Sequence, residues 1–186
     1  MTKRIFLIHG WGGGPNGGWQ LWLAQQLRKE GHDVTALAMP HTDHPKLDEW
    51  VETLRDAVGT PDEQCFFCGY SLGCITVLRY LETLQDDACV GGSTFVAGFY
   101  EHLGKGYEEI QPFIEKDMQW ESIRKHCKHF AVVHSDDDPI VPPPFGQRLA
   151  QNLHTPVQLT TGKKHFGGNS GVTEVPEILS AIDELM

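Results

Sequence analysis

Three short stretches hold residues able to carry out acyl transfer: Gly69-Tyr70-Ser71-Leu72-Gly73, Ser135-Asp136-Asp137-Asp138-Pro139 and Gly162-Lys163-Lys164-His165-Phe166. A serine hydroxyl is a weak nucleophile by itself. It becomes a strong one when an imidazole takes its proton and a carboxylate holds that imidazole in place. Here a serine, a cluster of aspartates and a histidine follow one another in that chain order, each just after a short apolar run. The first stretch has the pattern G-x-S-x-G between a strand-like run and a helix-like one, the context a nucleophile elbow requires. Such a turn drives its central residue toward positive φ, at a cost of about 1–3 kcal/mol. The flanking glycines let strand and helix pass closely on either side. The competing structural reading of the same stretch is a glycine-rich helix start with Ser71 as its N-cap.

Among the three aspartates, Asp138 stands directly before the Pro139-Ile140-Val141-Pro142 turn and is the expected orienting acid, with Asp137 second. His165 is the histidine of the last strand-end stretch and the expected base; His134, closing the previous apolar run, is its competitor. Activity is then expected to need a neutral His165 and to rise as pH passes its pKa. An oxyanion hole needs backbone N–H groups aimed at the developing charge. Leu72, the residue after the serine, supplies one. The glycine-rich segment 9–19 supplies the other, with the Trp11 N–H as candidate and His9 ordering the loop rather than acting as a base. Phe99 and Trp120 are expected to line the substrate pocket, and Trp11 to wall it.

These residues need a scaffold that brings them together. Apolar runs suited to buried strands occur at Arg4–His9, Val34–Ala38, Gln64–Gly69, Gly91–Val96, Phe130–His134 and Val157–Thr160. Between them lie segments of helical period at Trp19–Lys29, Leu47–Val58, Leu72–Leu84, Pro143–Asn152 and Val172–Leu185. This alternation predicts an open α/β sheet with right-handed crossovers. Residues that follow strands then gather on one sheet edge, where ligands bind in such folds. The long connection Ala97–Gln119 has two readings: a functional rim, or an extra helix packing its aromatics on the core.

Bulk composition narrows the function. With 186 residues and 40% hydrophobic residues the chain can bury one substantial core, and no repeat or linker divides it, so residues 1–186 are expected to form one domain. A net charge of −10, with no basic run, argues against nucleic acid and against an anionic membrane surface. The apolar run at the N-terminus is too short for a signal sequence, and no segment has the length of a transmembrane helix. Five cysteines, an odd number, read as reduced thiols in a cytoplasmic protein.

Other motifs argue for less. Gly12-x-Gly14-x-x-Gly17 has the dinucleotide-binding spacing, but the second strand ends in Ala38-Met39-Pro40 with no acidic residue for a ribose. Cys65 and Cys68 lie three apart on a strand and so point to opposite faces, which fits core thiols, not a metal pair. Cys74 also reads as core. The His41-Thr42-Asp43-His44 segment lacks the third ligand a zinc site needs and is expected near the rim. No metal and no cofactor are expected.

Taken together, Phe6-Leu7-Ile8-His9-Gly10-Trp11-Gly12-Gly13, the GYSLG elbow, Asp136-Asp137-Asp138-Pro139-Ile140-Val141-Pro142 and Gly162-Lys163-Lys164-His165-Phe166 resemble the α/β-hydrolase superfamily. Segments 39–51 and 118–127 are similar to those of its small lidless serine hydrolases, the group of retinoblastoma-binding protein 9 and its bacterial relatives. The resemblance covers nearly the whole chain. It implies a single-domain α/β-hydrolase fold of about six mostly parallel strands with helices on both faces and no separate cap domain. It also implies Ser71, Asp138 and His165 as a triad that cleaves small carboxylic esters through an acyl-enzyme. The partner expected is a small-molecule ester, handled by a monomer or weak homodimer. The alternative function is a protein-binding module on the same scaffold with an idle triad.

Overall fold

The computed structural model describes residues 1–167 and 170–186. Six strands form one sheet: β1 (Arg4–Ile8), β2 (Asp33–Ala36), β3 (Cys65–Tyr70), β4 (Val90–Val96), β5 (Cys127–Ser135) and β6 (Val157–Thr160). Their order is β2-β1-β3-β4-β5-β6, and every neighbouring pair is parallel. The helices are α1 (Trp19–Lys29), α2 (Leu47–Val58), α3 (Leu72–Glu82), α4 (Gln111–Ile114), α5 (Trp120–Lys125), α6 (Pro143–Asn152) and α7 (Pro176–Asp183), with a 3-10 turn at Glu108–Ile110 before α4.

Alternation along each strand splits the core into two layers. Phe6, Ile8, Cys65 and Phe67 face one side, where α2, α3 and α6 pack through Trp50, Leu54, Leu78 and Leu149. Ile5, Leu7, Phe66 and Cys68 face the other, covered by α1 and α7 through Leu23, Leu27, Ile178 and Ile182. Cys65 and Cys68 therefore lie in different layers. All four of the fully buried thiols are held above their usual pKa by burial, Cys65 to about 11, Cys68 and Cys127 to about 12, and Cys74 likewise upward. They are inert core residues.

Several boundaries differ from the sequence expectation. β5 begins at Cys127, three residues early, because Val90 and Gly92 of β4 pair with Cys127 and His129 and extend the ladder through polar residues. β2 ends at Ala36, where its pairing with Leu7 stops. α7 starts only at Pro176, a residue that fits the first helical turn because its missing N–H is not needed there. α3 stops at Glu82 instead of Leu84. Among the described residues no helix is long and apolar enough to cross a membrane.

The register gathers the strand ends. Ile8 pairs with Gly69, Tyr70 with Val96, and Val96 with Val133. The loops after β1, β3, β4, β5 and β6 thus open on one edge of the sheet. Backbone hydrogen bonds tie them together: Ser71 N–H donates to Val96 O at 2.9 Å, Ala97 N–H to Val133 O at 3.0 Å and Asp136 N–H to Thr160 O at 2.9 Å.

Candidate active site

Ser71 occupies the one residue between β3 and α3. Its backbone lies at φ 53° and ψ −117°, a strained conformation for a residue with a side chain. Both neighbouring glycines are sterically required. A Cβ on Gly69 would stand 2.8 Å from Cys74 Cα, and one on Gly73 would run into the carbonyl oxygens of Ile8 and His9. Those obstacles are backbone, so they cannot swing aside. Ser71 sits at the N-cap position, yet its side chain makes no capping hydrogen bond. Its hydroxyl instead donates to His165 Nε2 at 3.0 Å.

His165 is buried in the loop after β6. Its Nδ1–H donates to Asp138 Oδ2 at 2.8 Å. The other Asp138 oxygen accepts the N–H groups of Ile140 and Val141, each at 2.9 Å, and the carboxylate is fully buried. The Pro139–Val141 turn thus fixes the carboxylate, the carboxylate fixes the imidazole, and the imidazole faces the hydroxyl. A proton can pass along this chain from Ser71 to His165.

Asp136 and Asp137 have a different task. Both are exposed, and both grip the histidine loop by its backbone. Asp136 Oδ1 accepts from Gly162 N–H at 3.0 Å, and Asp137 Oδ1 accepts from Lys164 N–H at 2.7 Å. Ser135 donates its hydroxyl to Asp137 at 2.7 Å and accepts the Lys163 N–H at 2.9 Å. These bonds, the Ser135 hydroxyl first, hold the Asp137 carboxyl below the usual range. Neither carboxylate hydrogen-bonds the His165 ring, whereas that of Asp138 does.

Three residues support the chain of side chains from outside it. The Tyr70 hydroxyl donates to the His165 carbonyl oxygen at 2.6 Å, and its ring lies 5.3 Å from the imidazole. Burial pushes the Tyr70 phenol well above its ordinary pKa, so it stays a donor. The sequence reading passed over Tyr70 as the variable position of G-x-S-x-G. Lys164 and Phe166, on either side of His165, both adopt positive φ (51° and 60°), and the Phe166 ring anchors the loop in the core.

His134 stays apart from Ser71. Its Nε2–H donates to Val141 O at 2.7 Å, and the same nitrogen lies 3.7 Å from Asp138 Oδ2. Its Nδ1 has no partner among the described residues, and burial holds its pKa below the ordinary value. It braces the turn that carries Asp138. His9 is likewise a brace: its Nε2 accepts Met39 N–H at 3.2 Å, so its Nδ1–H donates to Gly10 O at 2.7 Å. Burial lowers its pKa too, keeping it neutral.

Gly10 lies directly over the serine, where a Cβ would come 3.0 Å from Ser71 Cβ. This brings the segment after β1 to Ser71. The Leu72 N–H is the first of α3, and such groups have no partner within their own helix. Among the described residues neither it nor the Trp11 N–H has a backbone acceptor. The Trp11 indole donates to Asp43 O at 2.9 Å and meets the Tyr107 ring edge-on, with centroids 6.4 Å apart.

A cavity of about 180 Å³ opens beside Ser71, lined by Trp11, Leu72, Phe99, Leu103, Tyr107 and Ile110 among others. The Ala97–Gln119 connection divides its residues: Phe113 is core, Leu103 and Tyr107 line the cavity, and the buried Phe99 and Ile110 do both. The expectation for Trp120 is corrected. It opens α5, stacks edge-on against Tyr100 at 4.8 Å and lines a separate groove with Met118, Asn152 and His154. α4 and the segment after it separate Trp120 from Ile110, which does line the cavity. His41 and His44 pair with Glu49 and Glu109, at 2.7 and 3.0 Å, and neither lines the cavity. Among the described residues no cluster of three metal-ligating side chains occurs.

A six-stranded parallel sheet of this order, with a serine on a positive-φ turn between strand and helix, defines an α/β-hydrolase. The serine hydrolase family profile matches residues 5–184, and the chain belongs to that family. It is 32% identical over 182 residues to the YdeN protein of Bacillus subtilis, covering 98% of this chain and 95% of that one. It is 27% identical over 188 residues to the serine hydrolase RBBP9 of Rattus norvegicus, covering 100% and 96% of the two chains. The crystal structure of the Bacillus subtilis ydeN gene product superposes with a TM-score of 0.94 at 32% identity, over 99% of this chain and 98% of that one. Est1E from Butyrivibrio proteoclasticus shares the fold with a TM-score of 0.74 at 15% identity, over 100% and 87% of the chains. The protein is a hydrolase.

Proposed function

We propose that this hydrolase cleaves small carboxylic esters with Ser71, His165 and Asp138 as its catalytic triad. The observation that carries the reading is the unbroken hydrogen-bonded chain from the Ser71 hydroxyl through His165 to the buried Asp138 carboxylate. Ser71 Oγ attacks the ester carbonyl carbon while its proton moves to His165 Nε2. The Leu72 and Trp11 N–H groups stabilise the negative carbonyl oxygen, a contribution of about 3–4 kcal/mol per donor. The tetrahedral species collapses, the bond to the alcohol oxygen breaks, and His165 gives its proton to that oxygen. Water then attacks the acyl-serine, again losing a proton to His165, and the proton returns to Ser71 Oγ as the acid leaves.

Asp138 keeps its charge throughout and holds the imidazole in the tautomer that accepts from Ser71. The paired N–H groups of Ile140 and Val141 hold that carboxylate in position. The cavity of about 180 Å³ beside Ser71 suits small substrates. Wild-type protein should hydrolyse p-nitrophenyl butyrate, and Ser71→Ala should lower kcat by about 10⁴-fold or more with its thermal midpoint intact. Equal rates in the two proteins would refute the assignment.

A further inference from the structure

Two cavities meet at the triad. The first, of about 180 Å³, includes Ser71 and Leu72 in its wall and is floored by the buried Phe99 and Ile110. The second, of about 460 Å³, runs along the histidine loop past Pro139, Lys164, Gly167 and Ser170 and includes neither Ser71 nor Leu72. Trp11, Tyr70, Ile140 and His165 border both. These four form a ridge between a small apolar chamber and a wide, partly polar groove.

Resting on the serine hydrolase reading above, we propose that the small cavity takes the acyl group and the wide groove takes the alcohol, so that the substrates are esters of compact apolar acids of up to about six carbons with alcohols of little restricted size. The chemistry decides which side is which. The acyl carbon becomes bonded to Ser71 Oγ, and its oxygen must lie at the Leu72 N–H. Both groups belong to the small cavity. The alcohol oxygen must receive its proton from His165 Nε2, and the groove is built from the loop that carries His165.

Size follows from volume. A protein cavity of about 150 Å³ holds one benzene ring, so 180 Å³ takes an acyl chain only slightly larger. The chamber is also fastened. Two lining residues, Trp11 and Tyr107, meet edge-on, the Trp11 indole is pinned to Asp43 O, and His44 bonds Glu109 in the 3-10 turn that carries Ile110. A longer chain must displace this wall. On the other side the exposed Lys164 makes no ion pair among the described residues, and the groove is open to water, so long or polar alcohols are accommodated.

Two ester series test the division. One is p-nitrophenyl esters from acetate to decanoate; the other is butyrate esters of alcohols from ethanol to decanol, followed by acid release. In the acyl series kcat/KM should rise about threefold to fourfold per methylene up to hexanoate, then fall at least tenfold by decanoate. The alcohol series should show no such fall. Leu103→Ala and Ile110→Ala should each raise the octanoate-to-butyrate ratio of kcat/KM about tenfold; Leu103 lies on a half-exposed loop, so its variant serves if Ile110→Ala fails to fold. A cut-off in the alcohol series instead, no cut-off in either, or an unchanged ratio in a folded variant overturns the proposal. If Ser71-dependent hydrolysis persists in those cases, the triad reading survives and only this division falls. If no ester in either series is hydrolysed in a Ser71-dependent way, both fall.

Discussion

The three neighbouring aspartates show how one residue type takes different work from its surroundings. Asp138 is buried and spends its two oxygens on His165 and on the N–H groups of Ile140 and Val141. Asp136 and Asp137 are exposed and hold the backbone of the loop in which His165 stands. Asp138→Asn should therefore lower kcat for an ester substrate by about 10³–10⁴-fold, because the amide offers the wrong partner to Nδ1–H. Asp137→Asn keeps an acceptor oxygen for Ser135 and Lys164 and should change kcat by less than about tenfold. Steady-state kinetics of the two variants check this, and equal losses would contradict the division of labour. In the sequence the choice rested on the position of Asp138 before its proline turn. The grip of its neighbours was not legible, because it depends on where the β6 loop returns in space.

At the scale of elements, the site is held by turns that are themselves braced by buried histidines. His134 braces the turn after β5 through Val141, with Gly146 of α6 packed against its ring; His9 ties the segment after β1 to Met39 beyond β2. Burial lowers both pKa values below the unfolded 6.5. Above about pH 6.5 both residues are neutral in the folded and unfolded chains and stability is unaffected. As pH falls below 6.5 the unfolded chain takes up protons that the folded chain refuses, so stability is lost from there downward. The urea midpoint should be lower at pH 5.5 than at pH 8, and His134→Gln should show a smaller drop than wild type. Midpoints equal at the two pH values would contradict the account. The role of His9 as a brace was readable from its place at the head of a glycine-rich loop. That of His134 was not, since a histidine at a strand end is equally placed to face solvent, substrate or core.

For the whole molecule, the sheet order brings five loop segments to one edge although they are spread from His9 to His165. Strand and helix alternation made this legible, because parallel strands joined by crossovers place every following loop on the same side. The elbow was legible for a further reason: Gly69 and Gly73 are demanded by backbone packing, so the pattern carries steric information. What escaped the sequence lies where tertiary contacts override local pattern. β5 is lengthened by its partner β4, and Trp120 is an aromatic residue that serves the packing of Tyr100 and not the cavity. The sequence of the Ala97–Gln119 connection left open a functional rim or aromatics packed on the core, and did not say which residues would face inward. The central claim, that this architecture activates one serine out of the whole chain, is tested most directly by labelling. Wild type and Ser71→Ala would be treated with a fluorophosphonate and the adduct located by mass spectrometry. A single adduct on Ser71, absent from the variant, is the predicted result; a folded wild-type protein that takes no adduct, or takes it elsewhere, would contradict it.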